Sequence, residues 1–115
     1  LDNIRGEGMT IKTTGLFIAT NASPITNTTS TQIISAPPAG TNRYITSISV
    51  VNDSSTATRV DILDGTTIVY RFRATNTNNP TQVFNPPIRI SGDLNAQCAT
   101  TGSSTFVSVS GFVDL

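Results

Sequence analysis

The sequence predicts an all-β protein: a single antiparallel β-sandwich, Ig-like or jelly-roll, with about eight short strands and an extended N-terminal arm. Three observations lead there. Val, Ile, Thr, Phe and Tyr suit a pleated sheet and number 47 of the 115 residues; Ala, Leu, Glu, Lys and Met, which helices favour, number 16. Short apolar runs alternate with Gly, Pro, Asn and Ser clusters roughly every 8–12 residues. No stretch carries the apolar period of an amphipathic helix.

Residues 1–14 read as the arm, mixing charge, glycine and threonine, with Ile4 and Ile11 as isolated apolar points. Residues 15–115 form the body. The run Leu16-Phe17-Ile18-Ala19 is a first strand, followed by a polar connection over residues 20–31. Gln32-Ile33-Ile34-Ser35 is a second strand, stopped by Pro37-Pro38-Ala39-Gly40. Residues 43–51 make a longer strand. Strict alternation puts Tyr44, Thr46, Ile48 and Val50 on one face, and Ile45, Ser47, Ser49 and Val51 on the other.

The clearest unit is the hairpin Thr58–Arg73. A two-residue turn at Asp64-Gly65 would set Asp61 opposite Ile68 and Arg59 opposite Tyr70, mixing charge into the apolar face. A three-residue loop, Leu63-Asp64-Gly65, puts Gly65 at the left-handed position of a turn with a bulge and shifts every partner by one residue. Val60, Ile62, Ile68, Tyr70 and Phe72 then share an apolar face. Arg59, Asp61, Arg71 and Arg73 share the other with Val69.

Residues 76–80 are a loop. Val83-Phe84 is a short edge-like strand interrupted by Pro86-Pro87, after which Ile88 and Ile90 alternate. Leu94, Ala96 and Cys98 alternate in the next strand, and a final strand over residues 105–113 sets Val107, Val109 and Val113 against Phe106 and Phe112.

Charge narrows the function. Seven Lys+Arg balance seven Asp+Glu, and charged residues are 12% of the chain. A nucleic-acid partner needs a basic footprint that displaces counterions, and none is present. No apolar run approaches the roughly 20 residues of a membrane span, so no membrane partner is expected. Histidine is absent and cysteine occurs once, so the common general base and the multi-cysteine zinc sites are missing. No Gly-x-Ser-x-Gly nucleophile motif occurs. The reading is a non-enzyme with no catalytic residue, metal, cofactor or small-molecule substrate.

Other motifs have plain explanations. Sequons at Asn21, Asn27 and Asn52 match the roughly three expected by chance in a chain this rich in Asn, Ser and Thr. Asp61 and Asp64 fit an outward strand position and a turn better than a calcium pair, and Asp93-Leu94-Asn95 lacks the acidic ligands of a calcium loop. Cys98 lies in line with Leu94 and Ala96 as a small buried hydrophobe. Tyr44 suits packing better than a carbohydrate platform. The arginines stand out: Arg59, Arg71 and Arg73 fall on one exposed hairpin face, where a protein contact is the functional reading. With Ile4, Arg5 and Ile11 of the arm they form the candidate interface.

The stretch Ile45-Thr46-Ser47-Ile48-Ser49-Val50-Val51-Asn52 leads to Val60-Asp61-Ile62-Leu63-Asp64-Gly65-Thr66-Thr67. Pro86-Pro87-Ile88-Arg89, Leu94-Asn95-Ala96-Gln97-Cys98 and Val107-Ser108-Val109-Ser110-Gly111-Phe112 follow. Over residues 43–113 this order resembles the small all-β virion proteins of tailed bacteriophages that decorate or cement heads. The resemblance implies a structural role on the capsid surface, in a virion made in the host cytoplasm. Its implied partners are the major capsid protein and copies of itself, often as a trimer. Two other functions fit the residues: a tail-fibre receptor-binding domain using loops 20–31 and 74–82, and an adhesin or pilus-like subunit joined by strand addition of residues 1–14.

Overall fold

Among the described residues eight strands form where β-branched and aromatic residues alternate with polar ones, and all but the last are followed within a few residues by Gly, Pro, Asn or Ser. The computed structural model describes residues 15–113. The strands are β1 (Leu16–Thr20), β2 (Thr31–Ile34), β3 (Arg43–Asn52), β4 (Thr58–Asp64), β5 (Thr67–Ala74), β6 (Thr81–Ile90), β7 (Leu94–Cys98) and β8 (Thr105–Val113). The arm residues Ile4, Arg5 and Ile11 lie outside the described residues.

Two four-stranded antiparallel sheets face each other, in the orders β1-β8-β3-β6 and β2-β7-β4-β5. Each strand of the first half pairs with its mirror in the second: β1 with β8, β2 with β7, β3 with β6 and β4 with β5. The chain is one long hairpin rolled up about the β4–β5 turn. This nested order is the jelly-roll arrangement, which decides between the two sandwich types. The core between the sheets contains Ile45, Ile48 and Val50 of β3, Val60 and Ile62 of β4, Leu94, Ala96 and Cys98 of β7, and Val107 and Val109 of β8, all at most 1% exposed. Cys98 is a buried free thiol.

Strand β3 departs from strict alternation. Ile45 pairs with Gly111 and Ser47 with Ser110, so Thr46 is an extra, unpaired residue, a β-bulge. Past it the faces exchange. Ile45 therefore joins Ile48 and Val50 in the core, and Tyr44 joins Ser47, Ser49 and Val51 on the outside. The simple period of two could not show this. Opposite the bulge a Cβ on Gly111 would overlap the Tyr44 carbonyl and sit 3.1 Å from the Ile45 Cα, so only glycine fits there. Strand β6 is interrupted at the same level: its pairing with β3 jumps from Val83 to Ile88, skipping a stretch that contains the cis Asn85–Pro86 bond. The strand lies at the sheet edge as expected, but it is ten residues long and runs through Pro86-Pro87, where only its register shifts.

The hairpin keeps its faces except at Ile68 and Val69, which exchange sides, and its turn differs from the expected one. Val60 pairs with Phe72 and Ile62 with Tyr70; Leu63 then pairs with Ile68 and Asp64 with Thr67, leaving Val69 as a bulge. The turn is the two-residue Gly65-Thr66, not the loop Leu63-Asp64-Gly65, although Gly65 is left-handed as expected at φ 62°. The bulge turns Val69 toward the core and Ile68 away from it. Ile68 is 43% exposed and leaves the predicted apolar face. The remaining members, Val60, Ile62, Tyr70 and Phe72, line or pack against the core. The turn is fixed from a distance. The Asp64 carboxylate accepts the N–H groups of Gly92 (2.8 Å) and Ser91 (3.3 Å), and the Gly65 N–H donates to the Asp93 carbonyl at 2.8 Å.

The connection over residues 20–31 is not merely polar. Ile25 is 3% exposed and bridges Thr105. Asn21 donates to the Ser23 and Thr105 carbonyls and accepts from the Val107 N–H at 2.8 Å. Asn52 donates to the Thr56 and Ala74 carbonyls and accepts from Ser54 and Ser104 N–H groups. Buried amides with these partners satisfy otherwise orphaned backbone groups.

Two outcomes test this packing in urea titrations. Phe72→Ala should cost about 3–5 kcal/mol, and Ile68→Ala less than about 1 kcal/mol. Equal losses would contradict the bulge at Val69. Separately, Gly111→Ala should destabilise by about 2 kcal/mol or more because backbone blocks its methyl. Gly65→Ala, with open space and only an unfavourable φ, should cost about 1–2 kcal/mol.

Candidate interaction surfaces

The two outer sheet faces have different chemistry. On the β2-β7-β4-β5 sheet, odd-numbered residues of β4 and β5 point outward where the pairing is regular. This brings Arg59, Asp61, Arg71 and Arg73 together, as the alternation predicts. Arg59 lies directly opposite Arg73, and Asp61 opposite Arg71. Asp61 is the hub. Arg59 grips its carboxylate with two bonds, Nε to Oδ1 at 2.9 Å and an Nη to Oδ2 at 3.1 Å. Arg71 Nε donates to the same Oδ1 at 3.1 Å. The carboxylate is 10% exposed, while the Arg59 and Arg71 side chains are about half exposed.

One carboxylate therefore serves two guanidinium groups, and Arg73 has no carboxylate partner among the described residues. The cluster carries a net charge of about +2 at neutral pH. Like charges directly opposite on paired strands repel. A carboxylate arriving from another molecule would relieve that repulsion, and guanidinium groups bind it in bidentate fashion.

The outer face of the β1-β8-β3-β6 sheet is charge-poor. Cross-strand registers align its residues in rows: Leu16, Phe112, Tyr44, Arg89; then Ile18, Ser110, Ser47, Val83; then Thr20, Ser108, Ser49, Thr81. Tyr44 stacks on Phe112 with ring centroids 5.2 Å apart, so this tyrosine packs on the outer face. Ser47 and Ser110 share a 2.6 Å hydrogen bond, and Ser49 and Thr81 one of 3.0 Å. Leu16, Ile18, Val51 and Val83 are exposed large hydrophobics on this face. A shallow groove lined by Leu16, Phe17, Ile18, Thr46, Ser110 and Gly111 lies beside β1. The sequence reading identified the β1 run as a strand but not its outward apolar residues. The signal was present in an apolar run with no charge to mark a solvated side.

Two acidic residues outside the hub, Asp64 and Asp93, hold the backbone. Asp64 takes the two N–H groups described above, and Asp93 accepts the Ala36 N–H at 2.7 Å. Among the described residues no three His, Cys, Asp or Glu side chains converge. Two sequon asparagines, Asn21 and Asn52, have their amide nitrogens engaged in the interior. Arg43 is buried: it donates to the Ser35 carbonyl at 2.7 Å and its guanidinium lies 5.0 Å from the Phe17 ring centroid. Burial lowers its pKa from the ordinary arginine value. It clasps the two sheets together, since Ser35 follows β2 and Arg43 opens β3. No protein-family model and no curated protein matches this chain.

The hub gives opposite expectations for its members. Asp61→Asn should lose about 1–3 kcal/mol in low salt, because three arginines then face one another around a neutral amide. Arg73→Ser should stay within about 0.5 kcal/mol of the native value, on the stabilising side. Raising the salt should shrink both differences. Chemical denaturation at two ionic strengths checks the pair.

Proposed function

We propose that this chain is a non-enzymatic virion structural protein, a decoration or cement module on the outer surface of a phage head. Its partners are the major capsid protein and copies of itself. The observation that carries the reading is the arginine face, where Arg73 stands opposite Arg59 and the one nearby carboxylate, Asp61, is shared by Arg59 and Arg71. Such a face rests on a rigid strand pair and has unspent capacity for an acidic group on a neighbouring protein. The sequence resemblance over residues 43–113 supports the capsid shell as that neighbour. Cement acts by binding the assembled shell better than its separated subunits, so that mass action favours the shell.

The test is a binding titration on undecorated particles at two salt concentrations. The variant replaces Arg59, Arg71 and Arg73 with Ser. If the arginines meet buried carboxylates on the shell, the variant should lose about 2–5 kcal/mol of binding; contacts at the rim would mainly flatten the salt dependence. Unchanged occupancy at both salt levels would overturn the arginine face as the contact. Wild-type protein that binds isolated fibres and not heads would instead support receptor binding, and a uniform homopolymer would support the pilus-like role.

A further inference from the structure

A sandwich has four sheet edges, and an edge strand presents unpaired N–H and C=O groups that invite another strand. Here the edges are β1, β6, β2 and β5. Three of them carry obstacles. Strand β6 contains Pro86 and Pro87 and a broken register. Strand β5 carries Arg71 and Arg73 and the bulge at Val69. Strand β2 is only four residues long and its register shifts between Gln32 and Ile34. Charge, proline, bulges and shortness are the usual devices that stop edge-to-edge pairing.

Strand β1 has none of these. Its residues Leu16-Phe17-Ile18-Ala19-Thr20 contain no charge and no proline. Its pairing with β8 runs without a shift from Leu16–Phe112 to Thr20–Ser108. Among the described residues it pairs with no strand but β8. Its outward side chains are Leu16, 56% exposed, and Ile18, 84% exposed.

We propose that the free edge of β1 pairs with β1 of a second copy of this chain. The occupant follows from the edges themselves. Only an extended strand satisfies the alternating donors and acceptors of a sheet edge, and among the described residues β1 is the one unobstructed edge strand. Antiparallel pairing about a two-fold axis through Ile18 is self-complementary. Ile18 meets its own copy, and Leu16 meets Thr20 of the other chain. The two charge-poor sheets then join into one continuous eight-stranded sheet, with no like charges brought together along β1. A five-residue pairing covers less than the roughly 800 Å² per partner of a standard stable interface, so the free dimer is weak and reversible.

Sedimentation equilibrium of the full chain, over a wide concentration range and without particles, tests this apart from the capsid proposal. Wild-type protein should show a monomer–dimer equilibrium. Ile18→Lys should weaken it by about tenfold or more, with an unchanged urea midpoint because the side chain is exposed. Ile68→Lys, on the other sheet, should associate like wild type. Ile18→Cys should form a disulfide-linked dimer on mild oxidation, because paired strands place facing Cα atoms about 4.5–5.5 Å apart. Val83→Cys, on the far edge of the same sheet, should not. A monomer at all concentrations, Ile18→Lys associating like wild type, a stoichiometry other than two, or linkage through Val83→Cys would each overturn the proposal. So would a monomer that dimerises only after deletion of residues 1–14, since the chain's own N-terminal segment would then be the occupant.

Discussion

The unpaired Thr46 in β3 is the constraint on which both faces of its sheet depend. A strand that alternates without interruption could bury Ile45, or Ile48 and Val50, but not all three. Burying one such side chain is worth roughly 1.5–3 kcal/mol. The bulge lets all three enter the core. Its hydroxyl donates to the Ser110 carbonyl at 3.1 Å, and Gly111 provides the space that any side chain would close. The same exchange of faces sends Tyr44 outward to stack on Phe112. The surface chemistry of the sheet and the completeness of the core are thus one decision of the backbone.

The second sheet is organised around a charge. Asp61 lies among residues that are otherwise buried along β4, where Val60, Ile62 and Leu63 are all at most 6% exposed. A carboxylate in such a place needs hydrogen-bond donors. Arg59 and Arg71 supply them while keeping their own stems and remaining N–H groups at the surface, as arginine's length and fork geometry allow. The cost is an excess of positive charge on that face. The two sheets therefore show distinct exteriors. One is cationic with partly satisfied guanidinium groups, and the other is a lattice of hydroxyls and apolar side chains with Arg89 at its rim.

These exteriors suit different kinds of contact. Guanidinium groups discriminate by charge and geometry, and their attraction falls with salt. An unobstructed strand edge offers main-chain hydrogen bonds, which select for extended backbone and depend little on side-chain identity. Because the two surfaces lie on different parts of the molecule, the two proposed contacts would not compete with each other. On a repeating surface, two weak contacts held together act far more strongly than either alone.

Much of this was legible in the sequence. The excess of β-branched residues, the spacing of turn clusters and the absence of an amphipathic period determined an antiparallel sandwich. The burial of Leu94, Ala96 and Cys98 and the gathering of Arg59, Asp61, Arg71 and Arg73 followed from local alternation, which the pleat imposes on every strand. What alternation cannot contain is an interruption of itself. The bulges at Thr46 and Val69 moved Tyr44, Ile45 and Ile68 to faces opposite those the period assigns. Each is set by partners far along the chain: Gly111 leaves space beside Thr46, and the Ser91–Asp93 segment anchors the turn next to Val69. Ile25 is buried by its bridge to Thr105, which no property of its polar neighbours announces. The nested strand order, which among the described residues places β1 at the end of its sheet, is likewise a matter of long-range pairing. The sequence by itself determined which segments become strands and which side chains repel water; the tertiary structure decided where the alternation breaks and in which order the strands pair, because both depend on strands distant in the chain meeting in a single register.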